Sequence, residues 1–380
     1  MPLSLNETLA SLQPSGVRRF AELAKATPGC VSLTLGEPGE VTAPHIRAQV
    51  AQDLDAELTH YPPNAGFDFL RDAIARYMTD RGEAYDAREV IVTCGAAEAL
   101  FTAPLTMLNP GDEVILPIPS LPIYDSAVRV QHGHVVHLDL FADDFQITRA
   151  VLEACVTERT KAIVLTTPNN PTGCVLTGES LDAVAEVAAR HGFYVICDDV
   201  YERLVYVEGY QTFAQRHPEL CEQTVITNSF SKPWAMTGWR LGWLAASSAF
   251  MQQAAKVHAY VLSCLPAFTQ QAAAQALATS VEPMRERYQA RRDLVVRELE
   301  KMGLPLVRPE GAFYALPSIA EFGLGSEEFC ERAIREAGVA LSPGVFFEAE
   351  GYARISYSVS DEQLALGLER LAGFVAKLRG

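Results

Sequence analysis

The sequence predicts an α/β protein whose mostly parallel central sheet is flanked by helices, with a smaller α+β domain attached. The first observation is that short, almost wholly apolar runs alternate with helical patterns between residues 89 and 246. Strands covered by helices on both faces show this pattern, because neither face carries polar residues. The second observation is a change after about residue 248 to long helical patterns, followed by a tail that alternates strand and helix.

Seven apolar runs are predicted to form the central sheet, because each is short and ends at polar or turn residues. In chain order they are Glu89–Cys94, Glu113–Leu116, Val135–Leu138, Ala162–Thr166, Tyr194–Cys197, Thr224–Thr227 and Leu241–Ala246. Ligands of such sheets bind outside the carboxyl ends of the strands. The residues just after these runs are therefore the candidates for chemistry.

The second part of the chain predicts a separate packing unit. Helices are expected at Phe250–Val261, Thr269–Thr279 and Glu282–Met302. The tail reads strand, helix, strand, helix over Ala312–Leu316, Ser326–Glu336, Ala353–Tyr357 and Asp361–Leu378. We therefore predict a large domain over residues 45–280 and a small domain made of residues 16–44 and 281–380.

Charge, hydropathy and cysteine spacing exclude several classes of protein. The chain has 380 residues and a net charge of −16, which opposes binding to nucleic acid or to an anionic membrane. No apolar run approaches the roughly 18 residues that a transmembrane helix needs. The eight cysteines are dispersed without a CxxC pair, and the first residues lack the pattern of a secretory signal. A cytoplasmic protein is therefore expected.

Two clusters of titratable side chains are predicted to be exposed and to have no role in binding or catalysis. His132, His134 and His137 are expected to be exposed strand histidines, so no metal site is predicted. The arginines of the predicted helix over residues 282–302 alternate with acidic residues, which is typical of a solvated face; they are Arg285, Arg287, Arg291, Arg292 and Arg297.

Polar residues follow two of the predicted strands at the point where a ligand would bind. Asn170 lies in the stretch Pro168–Gly173, although a simple turn explains this stretch as well. Asp198 and Tyr201 follow the next strand along the chain. A carboxylate at a buried strand end costs several kcal/mol unless it is paired. Asp198 is therefore either a helix N-cap or the partner of a ligand.

Lys232 is the lysine most suited to be a reactive amine. The chain has six lysines, at positions 25, 161, 232, 256, 301 and 377. Lys232 lies in an apolar stretch, whereas the others lie on helical patterns or precede a strand. Burial lowers the pKa of a lysine and makes its amine a nucleophile toward aldehydes.

Small residues at a strand-to-helix turn predict an anion site. Gly95, Ala96 and Ala97 would let backbone N–H groups approach a phosphate at a helix N-terminus, although small residues also serve close packing. Ser229 and Arg240 bracket Lys232 in the sequence and are expected to bind the same phosphate.

Together these groups predict a single ligand, pyridoxal 5′-phosphate. Its aldehyde would react with Lys232, and its phosphate would lie at the small-residue turn. Its ring nitrogen would face Asp198, and its phenolic oxygen would face Tyr201 and Asn170.

The order and spacing of these motifs resemble those of the class I/II aminotransferases, which are pyridoxal-phosphate enzymes of fold type I. The matching stretches are LTLGEPGE (33–40), YPPNAG (61–66), VTCGAAEAL (92–100), PNNPTG (168–173), DDVY (198–201), SFSKPWAMTGWRLGW (229–243), EGAFY (310–314) and ARISYS (353–358). Within this class, HYPPNAG (60–66), KVHAYVLSC (256–264) and EGAFYALPSIAEFG (310–323) most resemble bacterial aminotransferase A, of the N-acetyl-diaminopimelate type.

The resemblance implies a ping-pong exchange of an amino group between an amino acid and a 2-oxo acid. Lys232 would form an aldimine with the cofactor and then carry the proton at the substrate Cα. Asp198 would keep the pyridine nitrogen protonated, while Tyr201 and Asn170 would hydrogen-bond the phenolic oxygen. The phosphate would be held by Ser229, Arg240 and the N–H groups at Ala96 and Ala97.

The resemblance also implies substrate-binding residues and a second subunit. Arg354 would bind the substrate α-carboxylate bidentately, with Gly36 and Asn170 beside it. Tyr61 would reach the phosphate of a neighbouring subunit, so a homodimer is expected.

Two positions depart from the family's pattern. Leu121 stands where the family places an aromatic ring over the cofactor, and it offers apolar contact without a π face. The stretch Pro38-Gly39-Glu40 replaces the usual PDF on the substrate side.

Two other functions are compatible with parts of the pattern. A C–S β-lyase or an aminocyclopropane-carboxylate synthase would use the same cofactor, but would release a fragment from one substrate without a second oxo acid. The stretch Ser229–Lys232 also matches the SxxK motif of serine acyl-enzymes. That motif requires SDN and KTG elements as well, and neither string occurs.

Overall fold

The computed structural model describes residue 3, residues 5–12 and residues 16–380. The strands within these residues are β1 Val31–Ser32, β2 Val90–Thr93, β3 Glu113–Ile118, β4 His134–Asp139, β5 Thr160–Thr166, β6 Tyr194–Asp198, β7 Thr224–Ser229, β8 Gly242–Ala246, β9 Tyr314–Ala315, β10 Val339–Ala340, β11 Ser342–Pro343 and β12 Ala353–Ser356. Strands β2–β8 correspond to the seven predicted runs, with ends that differ by one or two residues.

The central sheet has the order β2-β8-β7-β6-β5-β3-β4. Strand β8 is antiparallel to both of its neighbours, β2 and β7, and the remaining pairs are parallel. The prediction of a mostly parallel sheet is confirmed. Strand β1 pairs with β10, and β12 lies between β11 and β9 in a small antiparallel sheet.

Helices lie on both faces of the central sheet and against the small sheets. They are α1 Glu7–Ser11, α2 Gly16–Ala26, α3 Pro44–Asp55, α4 Asp68–Thr79, α5 Gly95–Met107, α6 Ile123–Val130, α7 Arg149–Glu153, α8 Gly178–His191, α9 Phe213–Arg216, α10 Ser248–Val261, α11 Ala267–Leu277, α12 Glu282–Lys301, α13 Ser326–Arg332 and α14 Asp361–Arg379. Helix α8 shows why such segments have defined ends. Thr177 caps its first turn by accepting a hydrogen bond from the backbone of Ser180, and Gly192 ends it with a φ of +76°.

Alternate residues of the central strands face two different hydrophobic clusters. Val195 and Cys197 of β6 face the cluster that includes residues of α3, α4, α8 and α11. Ile196, between them, faces the cluster that includes residues of α5, α6 and α10. This two-sided burial explains why the strands carry near-continuous apolar runs.

A third hydrophobic cluster joins α2, α12, α13 and α14 to the short strands of the two small sheets. Tyr201 and Leu204, which follow β6, also pack in this cluster. The division into residues 45–280 and residues 16–44 plus 281–380 stays a prediction.

The interpretation of the α12 arginines as a solvated face is wrong for two of them. Arg291 and Arg292 are only 9% and 4% exposed. Arg291 binds Glu40 and Asp361, while Arg292 donates to the carbonyl oxygen of Pro309. The prediction failed because the acidic neighbours in the sequence suggested a solvated face, whereas these arginines bind residues of other segments.

No helix within the part of the chain that the structure describes combines the length and apolar character required to cross a bilayer.

Candidate active site

The predicted strand-end residues lie together at the carboxyl edge of the central sheet. Asp198 is the last residue of β6 and pairs in register with Thr166 at the end of β5. On the other side, Asp198 pairs with Thr227 of β7, two residues before Ser229. Because these strands are parallel, their carboxyl ends meet at one edge, as expected for a ligand crevice.

Asp198 is buried and has one oxygen without a partner. Its Oδ2 accepts a hydrogen bond of 2.7 Å from the hydroxyl of Tyr124, which in turn accepts one of 2.9 Å from Thr166. No hydrogen-bond partner for Oδ1 occurs among the described residues. Burial raises the pKa of Asp198 to about 6, against the opposing effect of the Tyr124 hydrogen bond. The carboxylate is therefore mostly ionised at neutral pH.

The helix-cap interpretation of Asp198 is wrong, because turns rather than a helix follow it. The burial of a carboxylate with one free oxygen is instead the arrangement expected of a group that meets a ligand.

The amine of Lys232 lies over the loop that carries Gly36. Its Nζ donates a hydrogen bond of 2.5 Å to the carbonyl oxygen of Gly36. It also lies 5.9 Å from the ring centroid of Tyr201 and 5.9 Å from that of Phe313. Burial lowers the pKa of Lys232 to about 8, although the carboxylates of Glu37 and Asp198 oppose the shift. A minor fraction of this amine is therefore neutral, and nucleophilic, near neutral pH.

Arg240 lies against the N-terminus of α5. Its guanidinium donates to the carbonyl oxygens of Thr237, at 2.8 Å, and Cys94, at 3.2 Å. Gly95, with a φ of +70°, leaves the space in which a Cβ would lie only 2.7 Å from Arg240 Nη2. The first N–H groups of a helix have no partner within the helix, so a cation and free donors meet at this turn.

A second glycine brings the neighbouring strand close to the same turn. A Cβ on Gly242 of β8 would lie 2.9 Å from the backbone nitrogen of Ala96. Ser229 is also nearby in the sheet, paired in register with Gly242. Its hydroxyl already bonds Ser231 Oγ at 2.6 Å and the carbonyl oxygen of Leu241 at 3.2 Å. The role of Ser229 toward a phosphate stays a prediction.

Tyr201 forms a hydroxyl pair with Tyr314, at 2.9 Å. The hydroxyl of Tyr314 would lie 2.3 Å from a Cβ on Gly36, so only glycine fits at that position. The pair thus connects the end of β6 to the loop beneath the amine of Lys232.

Arg354 is a buried cation that has no carboxylate partner among the described residues. Its side chain is packed between the rings of Tyr314 and Phe347, each 4.6 Å from the guanidinium carbon. It donates to Asn170 Oδ1 at 2.9 Å and to the carbonyl oxygen of Thr34 at 2.6 Å, while its Nε has no partner within the described part of the chain. Burial lowers the pKa of Arg354, but an arginine remains charged at neutral pH. This arrangement suits an incoming carboxylate.

The substrate-side loop is attached to α12 through Glu40, which belongs to the stretch that departs from the family's pattern. Glu40 accepts hydrogen bonds from the hydroxyl of Tyr288, at 2.5 Å, and from Arg287, at 3.0 Å. A Cβ on Gly39 would lie 2.8 Å from the carbonyl oxygen of Ser358. The Pro38-Gly39-Glu40 stretch therefore allows a close approach that a larger residue at position 39 would prevent.

Tyr61 and Leu121 lie at the periphery of this arrangement. Tyr61 is 92% exposed and lines an open cleft of about 1200 Å³ that Arg240, Cys94 and Leu262 also line. Leu121 is half-buried just before α6 and packs against the hydrophobic clusters on both faces of the central sheet. The structure thus brings Tyr61 to the cleft of Arg240, but not into its interior.

Sequence reasoning assigned no role to Tyr124 and Tyr314. Tyr124 follows the carboxyl end of β3, the same signal that identified Asp198, and therefore could have been found. Tyr314 lies within the EGAFY motif, but only the folded chain shows that its hydroxyl reaches Tyr201.

The residues present fit pyridoxal 5′-phosphate. The unpartnered Oδ1 of Asp198 suits a protonated ring nitrogen, because a buried carboxylate oxygen requires a donor. The turn at Gly95 and the guanidinium of Arg240 suit a phosphate, and the amine of Lys232 suits an aldehyde.

Comparison with known proteins places the chain in a family. The family model for aminotransferase class I and II matches residues 28–371. The probable N-acetyl-LL-diaminopimelate aminotransferase of Bacillus subtilis (strain 168) is 38% identical over 382 residues, covering 99% of this chain and 96% of that protein. The aromatic-amino-acid aminotransferase 2 of Thermococcus litoralis is 38% identical over 380 residues, covering 97% of each chain.

The fold is also similar to solved structures. Aspartate aminotransferase from Thermus thermophilus, solved with maleate, is 34% identical and has a TM-score of 0.93, covering 98% of this chain and all of that chain. With the family match, these similarities account for the α/β fold and for the pyridoxal-phosphate dependence predicted from the strand ends. The chain belongs to the class I and II aminotransferases and is a pyridoxal-phosphate-dependent enzyme that transfers an amino group between an amino acid and a 2-oxo acid.

Proposed function

We propose that Lys232, Asp198 and Tyr201 are the catalytic residues of this aminotransferase. The observation that carries the proposal is the presence in one crevice of a partly neutral amine, a carboxylate with a free oxygen and a guanidinium without an anion among the described residues. These groups are Lys232, Asp198 and Arg354, and the charges of Asp198 and Arg354 both act on the pKa of the lysine. Such perturbed groups clustered in one crevice are typical of an active site.

Lys232 is proposed to attach the cofactor and then to act as the base at the substrate Cα. Its lowered pKa allows the Nζ to accept a proton near neutral pH. When bound, pyridoxal 5′-phosphate supplies an electron sink for the charge that develops at Cα. The hydrogen bond to Gly36 keeps the Nζ within the crevice.

Asp198 is proposed to hold a proton on the ring nitrogen of the cofactor. Tyr124 orients the carboxylate by donating to Oδ2, which leaves Oδ1 for the ligand. Tyr201 and Asn170 are proposed to bind the phenolic oxygen, and Leu121 to contact the ring. The phosphate is assigned to Ser229, Arg240 and the backbone at Gly95, Ala96 and Ala97.

Arg354 is proposed to bind the α-carboxylate of the substrate, with Gly36 and Asn170 beside it. An arginine held between two aromatic rings loses little side-chain freedom on binding, so its fork is already oriented. Asn170 contributes by fixing one guanidinium nitrogen through its Oδ1.

We further propose a dicarboxylic acceptor, 2-oxoglutarate, with glutamate as a donor. The support is similarity to an aspartate aminotransferase that was solved with maleate, a dicarboxylate. Addition of glutamate to the cofactor-loaded protein is expected to change its visible absorption, and 2-oxoglutarate is expected to restore the original spectrum. With Arg354→Gln, half-saturation is expected to require roughly 100-fold more glutamate, because the hydrogen bonds to a charged guanidinium are lost.

The exposed Arg308, which binds Asp293 at the surface, provides the matched control. Arg308→Gln is expected to respond to glutamate as the wild-type protein does. An unchanged glutamate requirement in Arg354→Gln would contradict the proposed clamp. Ammonia released from one amino acid without any acceptor would instead indicate the lyase alternative.

The proposed active unit is a homodimer in which Tyr61 completes the neighbouring site. Tyr61 is 92% exposed and borders the cleft of Arg240, and Tyr260 and Val261 expose further apolar surface at 92% and 62%. Exposed apolar side chains of this kind are typical of contact surfaces.

Mixing two inactive variants tests whether Tyr61 serves its own site or its neighbour's. Lys232→Ala and Tyr61→Ala subunits, each with low activity, are expected to regain about a quarter of wild-type activity when mixed. Half of the random dimers are mixed, and each mixed dimer has one complete site. If Tyr61 serves its own subunit, mixing will restore nothing.

Two further proposals concern the domain division and the location of the protein in the cell. We propose that the two-domain division at residues 44/45 and 280/281 describes how the chain packs, since α2 and α12–α14 share a hydrophobic cluster.

We propose a cytoplasmic location, since the eight cysteines are free thiols in the structure and reduced thiols are typical of that compartment.

A further inference from the structure

We propose that His258 is a buried imidazolium that neutralises Glu98 at the N-terminus of α5, and thereby tunes the affinity of this turn for the cofactor phosphate. The proposal rests on the phosphate assignment above. It concerns positioning residues, since neither side chain is assigned to contact the substrate or the cofactor.

Both ring nitrogens of His258 face oxygen atoms that act as acceptors. His258 is fully buried on α10. Its Nδ1 lies 2.6 Å from Glu98 Oε1, and its Nε2 lies 2.8 Å from the backbone carbonyl oxygen of Asn64. A neutral imidazole has a single N–H and would turn a lone pair toward one of these acceptors. A ring protonated at both nitrogens donates to both oxygens, and the geometry therefore favours this form.

The charge balance of the pair agrees with this protonation. Burial disfavours the charged ring, but the hydrogen bond and negative charge of Glu98 outweigh burial and raise the pKa of His258 above its ordinary value. Glu98 is itself largely buried, with 8% of its side chain exposed. Removal of His258 would leave Glu98 as a buried charge without compensation, whereas removal of Glu98 would let the buried ring lose its extra proton.

Glu98 connects this ion pair to the phosphate turn. Its Oε2 accepts a hydrogen bond of 2.5 Å from the backbone nitrogen of Cys94, the N-cap of α5. The carboxylate thus uses the N–H just before the helix and leaves those of Gly95, Ala96 and Ala97 for a ligand. Without His258, a negative charge would lie on the first turn of the helix that is to receive a dianionic phosphate.

The same pair connects the turn to the segment that carries Tyr61. His258 holds the carbonyl oxygen of Asn64, whose side-chain amide donates to the carbonyl oxygen of Ser263. Three segments that are far apart in the sequence, around residues 64, 94–98 and 258–263, are thereby fixed around one buried cation.

Binding of pyridoxal 5′-phosphate and of pyridoxal, which lacks the phosphate, to the apoenzyme separates the electrostatic role from a structural one. With His258→Gln, the dissociation constant for pyridoxal 5′-phosphate is expected to rise roughly tenfold, while that for pyridoxal changes less than about twofold. Glu98→Gln, which removes the negative charge, is expected to bind pyridoxal 5′-phosphate as tightly as the wild-type protein. The double variant is expected to recover most of the phosphate selectivity lost in His258→Gln.

The outcomes distinguish failure of this inference from failure of the phosphate assignment. A wild-type apoenzyme that binds both ligands equally would overturn the phosphate assignment, as would Arg240→Gln with unchanged selectivity. A selective wild-type enzyme whose His258→Gln variant weakens both ligands alike would overturn the inference and leave the assignment standing. If His258→Gln fails to fold, Glu98→Gln still decides: a large loss of phosphate selectivity in that variant would contradict the proposal.

Discussion

Lys232→Ala is expected to reduce amino transfer by roughly 10³-fold or more, because the variant lacks both the nucleophile and the base at the substrate Cα. The loss should appear in kcat, measured with the best donor and a saturating oxo acid. The characteristic visible absorption of the attached cofactor should also disappear. Circular dichroism and thermal unfolding should remain close to those of the wild-type protein, since the side chain makes one hydrogen bond, to Gly36, with the residues that the structure describes.

Lys256→Ala provides the matched control for Lys232. Lys256 is an exposed lysine on α10 whose Nζ bonds Gln253 at 2.7 Å. That variant is expected to retain wild-type kcat and absorption. Added small primary amines are expected to restore part of the activity of Lys232→Ala, because they return a base to the space that the side chain vacates. A Lys232→Ala enzyme with more than a few per cent of wild-type turnover would exclude the proposed role.

Asp198→Asn is expected to reduce kcat roughly 100-fold while the protein still folds and binds its cofactor. The asparagine keeps the size of the side chain but loses the charge that would hold a proton on the ring nitrogen. Because burial raises the pKa of Asp198 to about 6, the ionised carboxylate costs folding free energy at neutral pH. The variant should therefore have a Tm no lower than that of the wild-type protein.

The neighbouring Asp199 makes a demanding comparison, because it is as buried as Asp198, at 2% against 3% exposure. Burial, together with the negative charges of Glu83, Glu202 and Asp198, raises its pKa. Asp199→Asn is expected to keep kcat within about threefold of the wild-type value, as for a substitution away from the reacting groups. Equal losses in the two variants would mean that any carboxylate at this strand end matters, and the specific role of Asp198 would be rejected.

The elements that could be predicted from the sequence are those with a local signal. The seven apolar runs identify the strands because two-sided burial demands continuous hydrophobicity. Strand β8 lies between β2 and β7 and is antiparallel to both. This arrangement could not be predicted, because a run of apolar residues does not indicate the direction of its strand. Lys232 was identifiable because its apolar surroundings in the chain are unusual for a lysine.

The contacts that could not be predicted join residues far apart in the chain. Tyr124 and Asp198 are 74 positions apart, and Glu98 and His258 are 160 apart. Each of these side chains lies on an ordinary strand end or helix, and its partner is determined by how the elements pack. For Arg291 the local sequence was misleading. Its acidic neighbours in the sequence predicted an exposed side chain, but its partners in the fold are Glu40 and Asp361.

The guanidinium of Arg354, which has no carboxylate partner among the described residues, affects the stability of the protein. A buried cation without an anion lowers the free energy of unfolding, and a bound carboxylate removes that penalty. Arg354, which is proposed to bind the substrate carboxylate, therefore also lowers the free energy of unfolding of the protein when no substrate is bound. The resistance of the protein to heat and to proteolysis would therefore increase with the concentration of its amino-acid substrates, because a bound substrate stabilises the folded state.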